Sequence, residues 1–509
     1  MSKIARATFL IAFFFSIDKA FSFVRQALLS RVFTSAELDI FFVSNNIPDL
    51  VSALISGGAL TVAFIPVLAE YLQHQGRPAA WELFSRVLNL AFLITAAISL
   101  VIIALAVPLV KGLIAPGFSP AQQALTASLM RLDFVAILIF SISGLCMAGL
   151  QANQHFLLPA MAPTFYNVGQ IFGILVLAAG RGVQVQLGPL TLPALGMGMG
   201  LYGLVYGVIL GAALHLAVQL PGLIRYGFRW KPLTDWRDAG VQKVLALMGP
   251  RVLTILCLQF YFVGRDNFAS HLPEGSVTVL NYGWFVMQVP ETLIGTAIAI
   301  AVLPSLAEFV TRGEFAAFTE TVNRALRVLL ALTLPAAALL AVGIEPLAQA
   351  AFGFAAEQTW LLAWTTRVYL LALLGHTWLE VAVRSFYANQ NARIPLVGAL
   401  CQIVLYLTLA VLLSRGMGVV GLALADTLSF TAQALVLLVL LNRRFAGVFA
   451  VLGTFWRSLA GAVLGALLSW LLMRFLPLPL LPLTIFALAA GGLLVLPFIW
   501  KEVKVLVRL

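Results

Sequence analysis

Charge is the scarcest property of this 509-residue sequence. Only 10% of its residues are Asp, Glu, Lys or Arg, whereas 61% are hydrophobic, and the mean hydropathy is +1.01. An average soluble domain is about 25% charged and about 45–50% apolar. A soluble chain of this length would need far more charge to coat several cores, so water-soluble enzymes and nucleic-acid-binding proteins are nearly excluded. The composition predicts a polytopic membrane protein.

Cysteine and recognisable catalytic motifs are also scarce. Cys146, Cys257 and Cys401 lie in apolar runs without paired spacing, which predicts small core residues and neither a disulfide nor a zinc site. The five histidines show no metal spacing, and there is no phosphate-binding loop or Gly-x-Ser-x-Gly motif. We therefore expect a transporter and not an enzyme, with no cofactor, nucleotide or nucleic-acid partner. The energy for transport would come from the gradient of an unidentified coupling ion or from the membrane potential.

Long apolar runs fill the sequence instead. A span needs about 20 apolar residues, and the continuous apolar start is read as the first span and not as a cleaved signal peptide. Gly and Pro interruptions favour an all-α protein over a barrel. The sequence predicts fourteen transmembrane helices, near 7–33, 40–72, 84–114, 122–150, 157–180, 194–222, 244–270, 276–309, 321–351, 358–387, 394–414, 417–441, 453–475 and 480–500.

The distribution of basic residues predicts the orientation. With these spans, twenty basic residues fall on the side that holds the N-terminus, and the opposite side receives five: Arg31, Lys111, Arg181, Arg415 and Arg474. Positive charge concentrates on the cytoplasmic side. We therefore expect a multi-pass protein of the bacterial inner membrane with both termini in the cytoplasm. Most of the +11 net charge reflects topology, with attraction to anionic lipids as a side effect.

An internal repeat predicts the domain organisation. The segment 56–70 parallels 294–308, and Ala-Asn-Gln occurs at both 152–154 and 388–390. Ordered matches through five helices indicate a tandem duplication of six helices, whose even number makes the repeats parallel. The predicted parts are an N-terminal six-helix lobe at 1–222, a basic cytoplasmic linker at 223–243, a C-terminal six-helix lobe at 244–442 and two extra helices at 453–501.

Polar side chains inside apolar spans are the candidate functional residues, because burying them in a membrane is costly. They cluster in predicted helices 1, 2, 7 and 8, where two parallel halves would enclose a central cavity. In helix 2, Asn45, Asp49, Ser52 and Ser56 form a polar stripe at i, i+4, i+7 and i+11, broken by Pro48 and by Gly57 and Gly58. The candidate substrate-binding residues are Lys19, Arg25, Asp39, Asn45, Asp49, Ser52, Arg265, Asp266, Asn281 and Gln288. Three of them, Lys19, Arg25 and Arg265, are deep cations that suit a phosphate or pyrophosphate.

Structural interpretations of the same residues stay open. Asp18 could pair with Arg25, and Arg265 with Asp266 or Asp39, as clamps between helices. Asp133, Glu380 and Arg384 are expected near the ends of spans, where they would snorkel to the interface or be tied to loops. Three small residues, Gly203, Gly207 and Gly211, have a spacing of four that predicts a close helix contact and not a ligand site.

Several segments together resemble the MurJ (MviN) family of lipid II flippases, within the multidrug/oligosaccharidyl-lipid/polysaccharide (MOP) exporter superfamily. They include FSFVRQALLSRVF at 21–33, LIAPGF at 113–118 and FYANQNARIPL at 386–396, and the resemblance covers the whole chain in order. It implies fourteen helices, two six-helix lobes with a cationic central cavity, and a groove for a polyprenyl tail formed by helices 13 and 14. It also implies a role in peptidoglycan biosynthesis, and hence in cell wall biogenesis and cell shape.

The family's basic positions in helix 1 fall on Lys19 and Arg25, and its acidic position at the start of helix 2 falls on Asp39. Other positions depart from the family. The following residues stand where charged residues are frequent: Ser52, Ala53, Gly57, Phe285 and Gln288. Arg265 is expected to compensate for the arginine lost at Phe285. These departures leave the headgroup of the cargo open.

The leading hypothesis is a flippase that exports an undecaprenyl-pyrophosphate-linked precursor, lipid II, from the inner to the outer leaflet by alternating access. Two alternatives remain. One is a MOP-superfamily exporter of another lipid-linked oligosaccharide or of drugs, and the other is a non-transporting membrane scaffold.

Overall fold

The protein is almost entirely helical. A computed structural model describes residues 3–55, 59–182, 184–187, 190–193 and 195–506. The α-helices in these ranges are α1 (Lys3–Val32), α2 (Ser35–Ile55), α3 (Ala59–His74), α4 (Gly76–Leu109), α5 (Pro120–Ala152), α6 (Leu157–Phe172), α7 (Gly200–Ala217), α8 (Leu220–Arg225), α9 (Ala239–Ser270), α10 (Ser276–Pro290), α11 (Ala297–Arg312), α12 (Phe315–Phe352), α13 (Ala356–Ala388), α14 (Arg393–Arg444), α15 (Leu452–Phe475) and α16 (Leu480–Leu506). Short π-helical turns continue three of them, at Val110–Ile114, Gly173–Ala178 and Glu291–Thr296.

Within the described residues, each of the fourteen predicted spans lies mostly on helix. Ten helical segments are long and apolar enough to cross a membrane by length and composition, within the ranges given above. The other predicted spans lie on α1, α9 and α13, and on α14, which covers two of them. Gly418 divides α14 with φ 56° and ψ −133°, a conformation that is essentially limited to glycine. The predicted all-α polytopic fold is confirmed.

A pair of short strands was not predicted from the sequence. Strands β1 (Gln184–Leu187) and β2 (Leu190–Pro193) pair antiparallel, with Gln184 opposite Pro193 and Leu187 opposite Leu190. They lie in the connection between α6 and α7, which was expected to be a loop. The sequence Gln-Val-Gln-Leu alternates polar and apolar residues, which is the pattern of a strand.

The chain folds into two compact units, Met1–Gly275 and Ser276–Leu509. In the first unit, α2 and α3 pack against both α5 and α9, and α1 packs against α6. In the second, α13 lies between α12 and α14, and α15 and α16 pack together against α12. Helix α9 thus packs with the first unit, although the predicted repeat assigns it to the second copy. The repeat boundary and the lipid-tail groove stay predictions.

A chain of small residues holds α6 and α7 together. A Cβ added at Gly207 would lie 2.6 Å from the Cα of Gly173, and one added at Gly211 would lie 2.5 Å from the carbonyl oxygen of Tyr166. These separations are shorter than carbon atoms tolerate, so only glycine permits the contact. The predicted close helix contact at Gly203, Gly207 and Gly211 is confirmed, and it fixes α6 beside the cavity described below.

The predicted linker is tied to α4 by polar contacts. The Trp230 indole donates to Asn89 Oδ1 at 2.8 Å, and Asn89 Nδ2 donates to the carbonyl oxygens of Lys231 and Leu233, each at 2.8 Å. The Asp238 carboxylate then caps the first turn of α9 by accepting from Gly240 N at 2.9 Å. These contacts set the point at which α9 starts.

Candidate functional site

A polar cavity of about 340 Å³ lies inside the first unit. Five helices, α1, α2, α5, α6 and α7, supply its wall. The polar lining residues are Arg25, Gln26, Asn45, Asp49, Ser52, Asp133, Tyr166 and Gln170. Polar groups converging on a cavity among apolar helices are typical of a ligand site.

Helix geometry explains the α2 side of the cavity. Asn45, Asp49 and Ser52 stand at positions i, i+4 and i+7 of α2, so they share one face. All three line the cavity, as the predicted polar stripe requires. Asp49 is exposed because it faces the cavity, and Ser52 is half-buried. The stripe was predicted to continue through Ser56 and to be broken at Gly57 and Gly58, and those residues lie outside the described ranges.

Arg25 supplies the positive charge of the cavity, from α1. It attracts the Asp49 carboxylate, whereas Asp133 and Asp49 repel each other. One guanidinium therefore faces two carboxylates. A guanidinium can bind a phosphate through two parallel hydrogen bonds, and the carboxylates can accept hydrogen bonds from hydroxyl or amide groups.

Asp133 corrects one expectation from the sequence. It was expected near the end of a span, but the structure places it inside α5, on the cavity wall and only 3% exposed. The predicted span 122–150 nearly coincides with α5 (Pro120–Ala152) and already contained Asp133 well inside it, so the expectation of a position near the end was wrong on the sequence itself. Gln170, also 3% exposed, was missed because a lone glutamine in an apolar helix gives no pattern.

Three buried polar atoms of the lining residues have no hydrogen-bond partner within the described part of the chain: Asn45 Oδ1, Asp133 Oδ1 and Gln170 Nε2. Buried polar atoms are usually hydrogen-bonded, and leaving one unpaired costs about 1–3 kcal/mol. Two acceptors and one donor at a cavity wall can be satisfied by a polar ligand or by water. This arrangement is the strongest sign that the cavity receives a hydrophilic group.

Lys19 and Asp18 lie on α1 outside the cavity lining. Lys19 is exposed, and half-buried Asp18 accepts a hydrogen bond from Asn167 Nδ2 at 2.8 Å. Asn167 belongs to α6, so Asp18 links α1 to the helix that carries Gln170. This contact positions a cavity wall.

Arg265 and Asp266 also lie apart from the cavity lining. Arg265 Nε donates to Asp266 Oδ1 at 2.8 Å, and both side chains are only 2% exposed. Asp266 Oδ2 accepts from Asn46 Nδ2 at 3.1 Å, which ties α9 to α2. The arrangement matches the alternative in which Arg265 pairs with Asp266 as a clamp.

Asp39 is buried at the start of α2, where its carboxylate accepts from the backbone N–H of Gly275 at 2.6 Å. It therefore holds the end of the segment that follows α9.

The remaining two candidates lie in the second unit. Asn281 is half-buried and donates to the carbonyl oxygen of Val277 at 2.9 Å, and Gln288 is exposed.

The chain matches the family described as lipid II flippase MurJ over residues 29–488. Lipid II flippase MurJ of Burkholderia cenocepacia is 29% identical over 400 residues, which cover 77% of this chain and 74% of that protein. A probable lipid II flippase MurJ of Rhizobium tropici is 27% identical over 475 residues, covering 91% and 86%.

Solved structures share the fold. A lipid II flippase MurJ in an inward closed conformation superposes with a TM-score of 0.80 at 20% identity, covering 98% of this chain and all of that chain. An inward-facing multidrug resistance MATE transporter of the MOP superfamily gives a TM-score of 0.70 at 13% identity, covering 85% and 95%.

The family match spans most of the chain and agrees with the helical fold, which makes the protein a multi-pass protein of the bacterial inner membrane. The chain belongs to the MurJ family of lipid II flippases.

Proposed function

We propose that this protein is a transporter and not an enzyme, and that it exports the undecaprenyl-pyrophosphate-linked precursor lipid II from the inner to the outer leaflet by alternating access. Family membership supports the activity. The observation that carries the proposal is the cavity of the first unit, where Arg25 lies among three buried polar atoms that have no partner among the described residues. That set suits a pyrophosphate joined to a sugar and a peptide.

The lining residues divide into two proposed roles. Arg25 binds the pyrophosphate through two charge-assisted hydrogen bonds. Asn45, Asp49 and Ser52 bind hydroxyl and amide groups of the sugar and peptide, together with Asp133 and Gln170. Lys19 adds long-range attraction for the anion from its exposed position on α1.

The other candidate residues receive different proposed roles. Asp39, Arg265 and Asp266 hold α9 and the following segment against α2, so they position the cavity without touching the cargo. Asn281 and Gln288, which belong to the second unit, are proposed to bind the cargo during transport.

No cofactor is needed for this activity. Both termini are proposed to lie in the cytoplasm, as the distribution of basic residues indicates. An inside-negative potential favours outward movement of an anion by about 2.3 kcal/mol per charge per 100 mV. The membrane potential would therefore assist the proposed export, whether or not an ion is also coupled to it.

Replacing Arg25 tests the proposal. Arg25→Ala is expected to lower lipid II flipping roughly 10- to 100-fold, because charge-assisted hydrogen bonds contribute about 1.5–3 kcal/mol. Arg25→Lys keeps the charge without the bidentate geometry, so its effect should be smaller. The measurement is the accessibility of labelled lipid II in proteoliposomes, together with complementation of a flippase-depleted strain.

Arg312→Ala is the matched control, since this exposed arginine pairs with Glu308 at the end of α11. Full complementation by Arg25→Ala at normal protein level would remove Arg25 from the proposed anion site. Absence of flipping by the unaltered protein would refute the proposed activity.

A second candidate function is export of an organic cation. The cavity holds two carboxylates against one guanidinium, and a cationic drug would be attracted to such a site. Energised export of a fluorescent organic cation, lost in Asp49→Asn and without flipping of lipid II, would favour this candidate.

A further inference from the structure

Three titratable side chains meet inside the second unit. Glu291 begins the π-helical turn Glu291–Thr296, His376 lies on α13, and Asp426 lies on α14 beyond the break at Gly418. His376 Nδ1 is 3.8 Å from Glu291 Oε1, and His376 Nε2 is 3.8 Å from Asp426 Oδ2. Their side chains are 14%, 5% and 0% exposed, in the order Glu291, His376, Asp426.

These three groups form an electrostatic unit. The charged groups that act on His376 are Glu291 and Asp426, and those that act on Glu291 are His376 and Asp426. Helices α10, α11 and α12 also pack against α13, and their described residues add no further charge to these sets. The Tyr369 phenol, two turns earlier on α13, contacts Trp284, whose ring also contacts His376.

Charge balance favours uptake of a proton by this cluster. Two ionised carboxylates beside a neutral imidazole would place two negative charges in a membrane-spanning region, where each buried charge is costly. A proton on the imidazole adds a positive charge that offsets one of them, so the net charge changes from −2 to −1, and it lets each ring nitrogen donate toward a carboxylate. His376 Nε2 is buried and faces Asp426 Oδ2 at 3.8 Å, so a proton on this nitrogen would point toward the Asp426 carboxylate.

A proton suits the cluster better than a metal ion. No group of three or more His, Cys, Asp or Glu side chains in the described ranges is arranged to hold a metal. Aromatic rings enclose the imidazole: Phe430 stacks on it with centroids 4.3 Å apart, and Trp284 meets it edge-on at 5.3 Å. The stacked face of Phe430 stabilises an imidazolium, and both rings help to shield it from water.

The backbone around His376 is tightly packed on two sides. A Cβ added at Gly375 would lie 2.6 Å from Thr431 Oγ1 on α14, and one added at Gly295 would lie 2.5 Å from Thr377 Cγ2 on α13. The π-helical turn that carries Glu291 is therefore wedged against the residue after His376. Single π-helical turns inside helices often mark functional sites. A change in charge at His376 would act directly on this turn.

We propose that Glu291, His376 and Asp426 form a proton-binding site whose occupancy is coupled to the transport cycle. The coupling to transport rests on the proposed function, whereas the binding of a proton does not. The site lies outside the cavity of the first unit and uses none of its residues.

Proton binding is tested first on the full-length protein in lipid nanodiscs. The chain has only five histidines, so ¹⁵N labelling of histidine resolves the ring nitrogens, and His376→Gln identifies the signal of His376. Glu291→Gln and Asp426→Asn are each expected to lower the protonated fraction of His376 at pH 7, because each removes a carboxylate that stabilises the imidazolium. An unchanged fraction in both variants would overturn the proposal.

Coupling is tested by flipping of labelled lipid II in proteoliposomes at zero membrane potential. A gradient of one pH unit is expected to change the rate by up to about tenfold for one coupled proton. His376→Gln should abolish this dependence, and exposed His74→Gln should keep it. A rate that follows a sodium gradient, or that ignores the pH gradient in the unaltered protein, would refute proton coupling.

Different results would refute the proposed function and the proposed proton-binding site. Absence of flipping by the unaltered protein would refute the proposed function, and the histidine signal would still decide whether the cluster binds a proton.

Discussion

At the scale of single residues, the polar side chains inside the spans fall into two classes. Arg25, Asn45 and Asp49 line a cavity, whereas Arg265 and Asp266 form a buried salt bridge with each other. The sequence placed both groups among the candidate ligands, since each breaks an apolar run. Burial and hydrogen bonds distinguish the two classes. A charge that is paired within the protein stabilises a contact between helices, whereas a polar atom without a partner at a cavity wall can bind a ligand.

Asp133→Asn is expected to raise the stability of the protein while it impairs transport. The substitution keeps the shape of the side chain and removes the cost of burying a carboxylate, together with its repulsion from Asp49, so the free energy of unfolding should increase by about 1 kcal/mol. Thermal unfolding in detergent measures this change, and lipid II flipping measures the loss. Glu314→Gln, an exposed carboxylate outside the cavity, is the control. A less stable Asp133→Asn protein would contradict the prediction.

Asp266→Ala is expected to destabilise the protein by about 3–5 kcal/mol, because it leaves the buried Arg265 guanidinium without its carboxylate. The Arg265→Ala, Asp266→Ala double variant should recover part of this loss. Unfolding in mixed micelles gives the free energies. Glu308→Ala breaks an exposed pair and should have little effect. If Asp266→Ala kept full stability and lost only transport, Asp266 would belong to the substrate site.

At the scale of elements, helical spacing was the most informative pattern in the sequence. Residues at i, i+4 and i+7 share a face whatever surrounds the helix, so the stripe from Asn45 to Ser52 and the small-residue face of α7 were both predicted. The pair of strands β1 and β2 and the π-helical turns were not predicted. The strands are only four residues each, and a π-helical turn depends on one extra residue per turn, which no periodicity reveals.

Gly207→Ala is expected to destabilise the contact between α6 and α7 by about 1–3 kcal/mol, because the added methyl group would overlap the backbone at Gly173. Thermal unfolding in detergent provides the measurement. Gly249→Ala is the matched control in α9, where the added Cβ has no described atom within 4 Å. Equal melting temperatures for the two variants would show that α6 and α7 can move apart without lowering the free energy of unfolding.

At the scale of the whole molecule, composition indicated the membrane and the distribution of basic residues indicated the orientation. Among the residues that the structure describes, the fourteen predicted spans lie mostly on helices, and the family match extends over residues 29–488. The assignment of α9 to the first unit was not foreseen. It depends on packing against α2 and α3, whereas a repeat in sequence records only the order of the helices.

Reporter fusions test the proposed orientation. A green fluorescent protein at the C-terminus should fluoresce, because that reporter folds in the cytoplasm, and alkaline phosphatase inserted after Gly182 should be active in the periplasm. Alkaline phosphatase inserted after Lys231 is the control and should be inactive. The reverse pattern would show that the basic residues do not set the topology.

The sequence by itself determined the class of protein, the number of spans and the helix faces that carry polar or small residues, because these follow from local composition and helical spacing. Tertiary structure alone decided which of those faces meet. It brought Asp133 and Gln170 to the cavity of Arg25, paired Arg265 with Asp266, and gathered Glu291, His376 and Asp426 from three separate elements. Contacts between distant helices depend on how their surfaces pack, and one sequence contains no spacing rule for them.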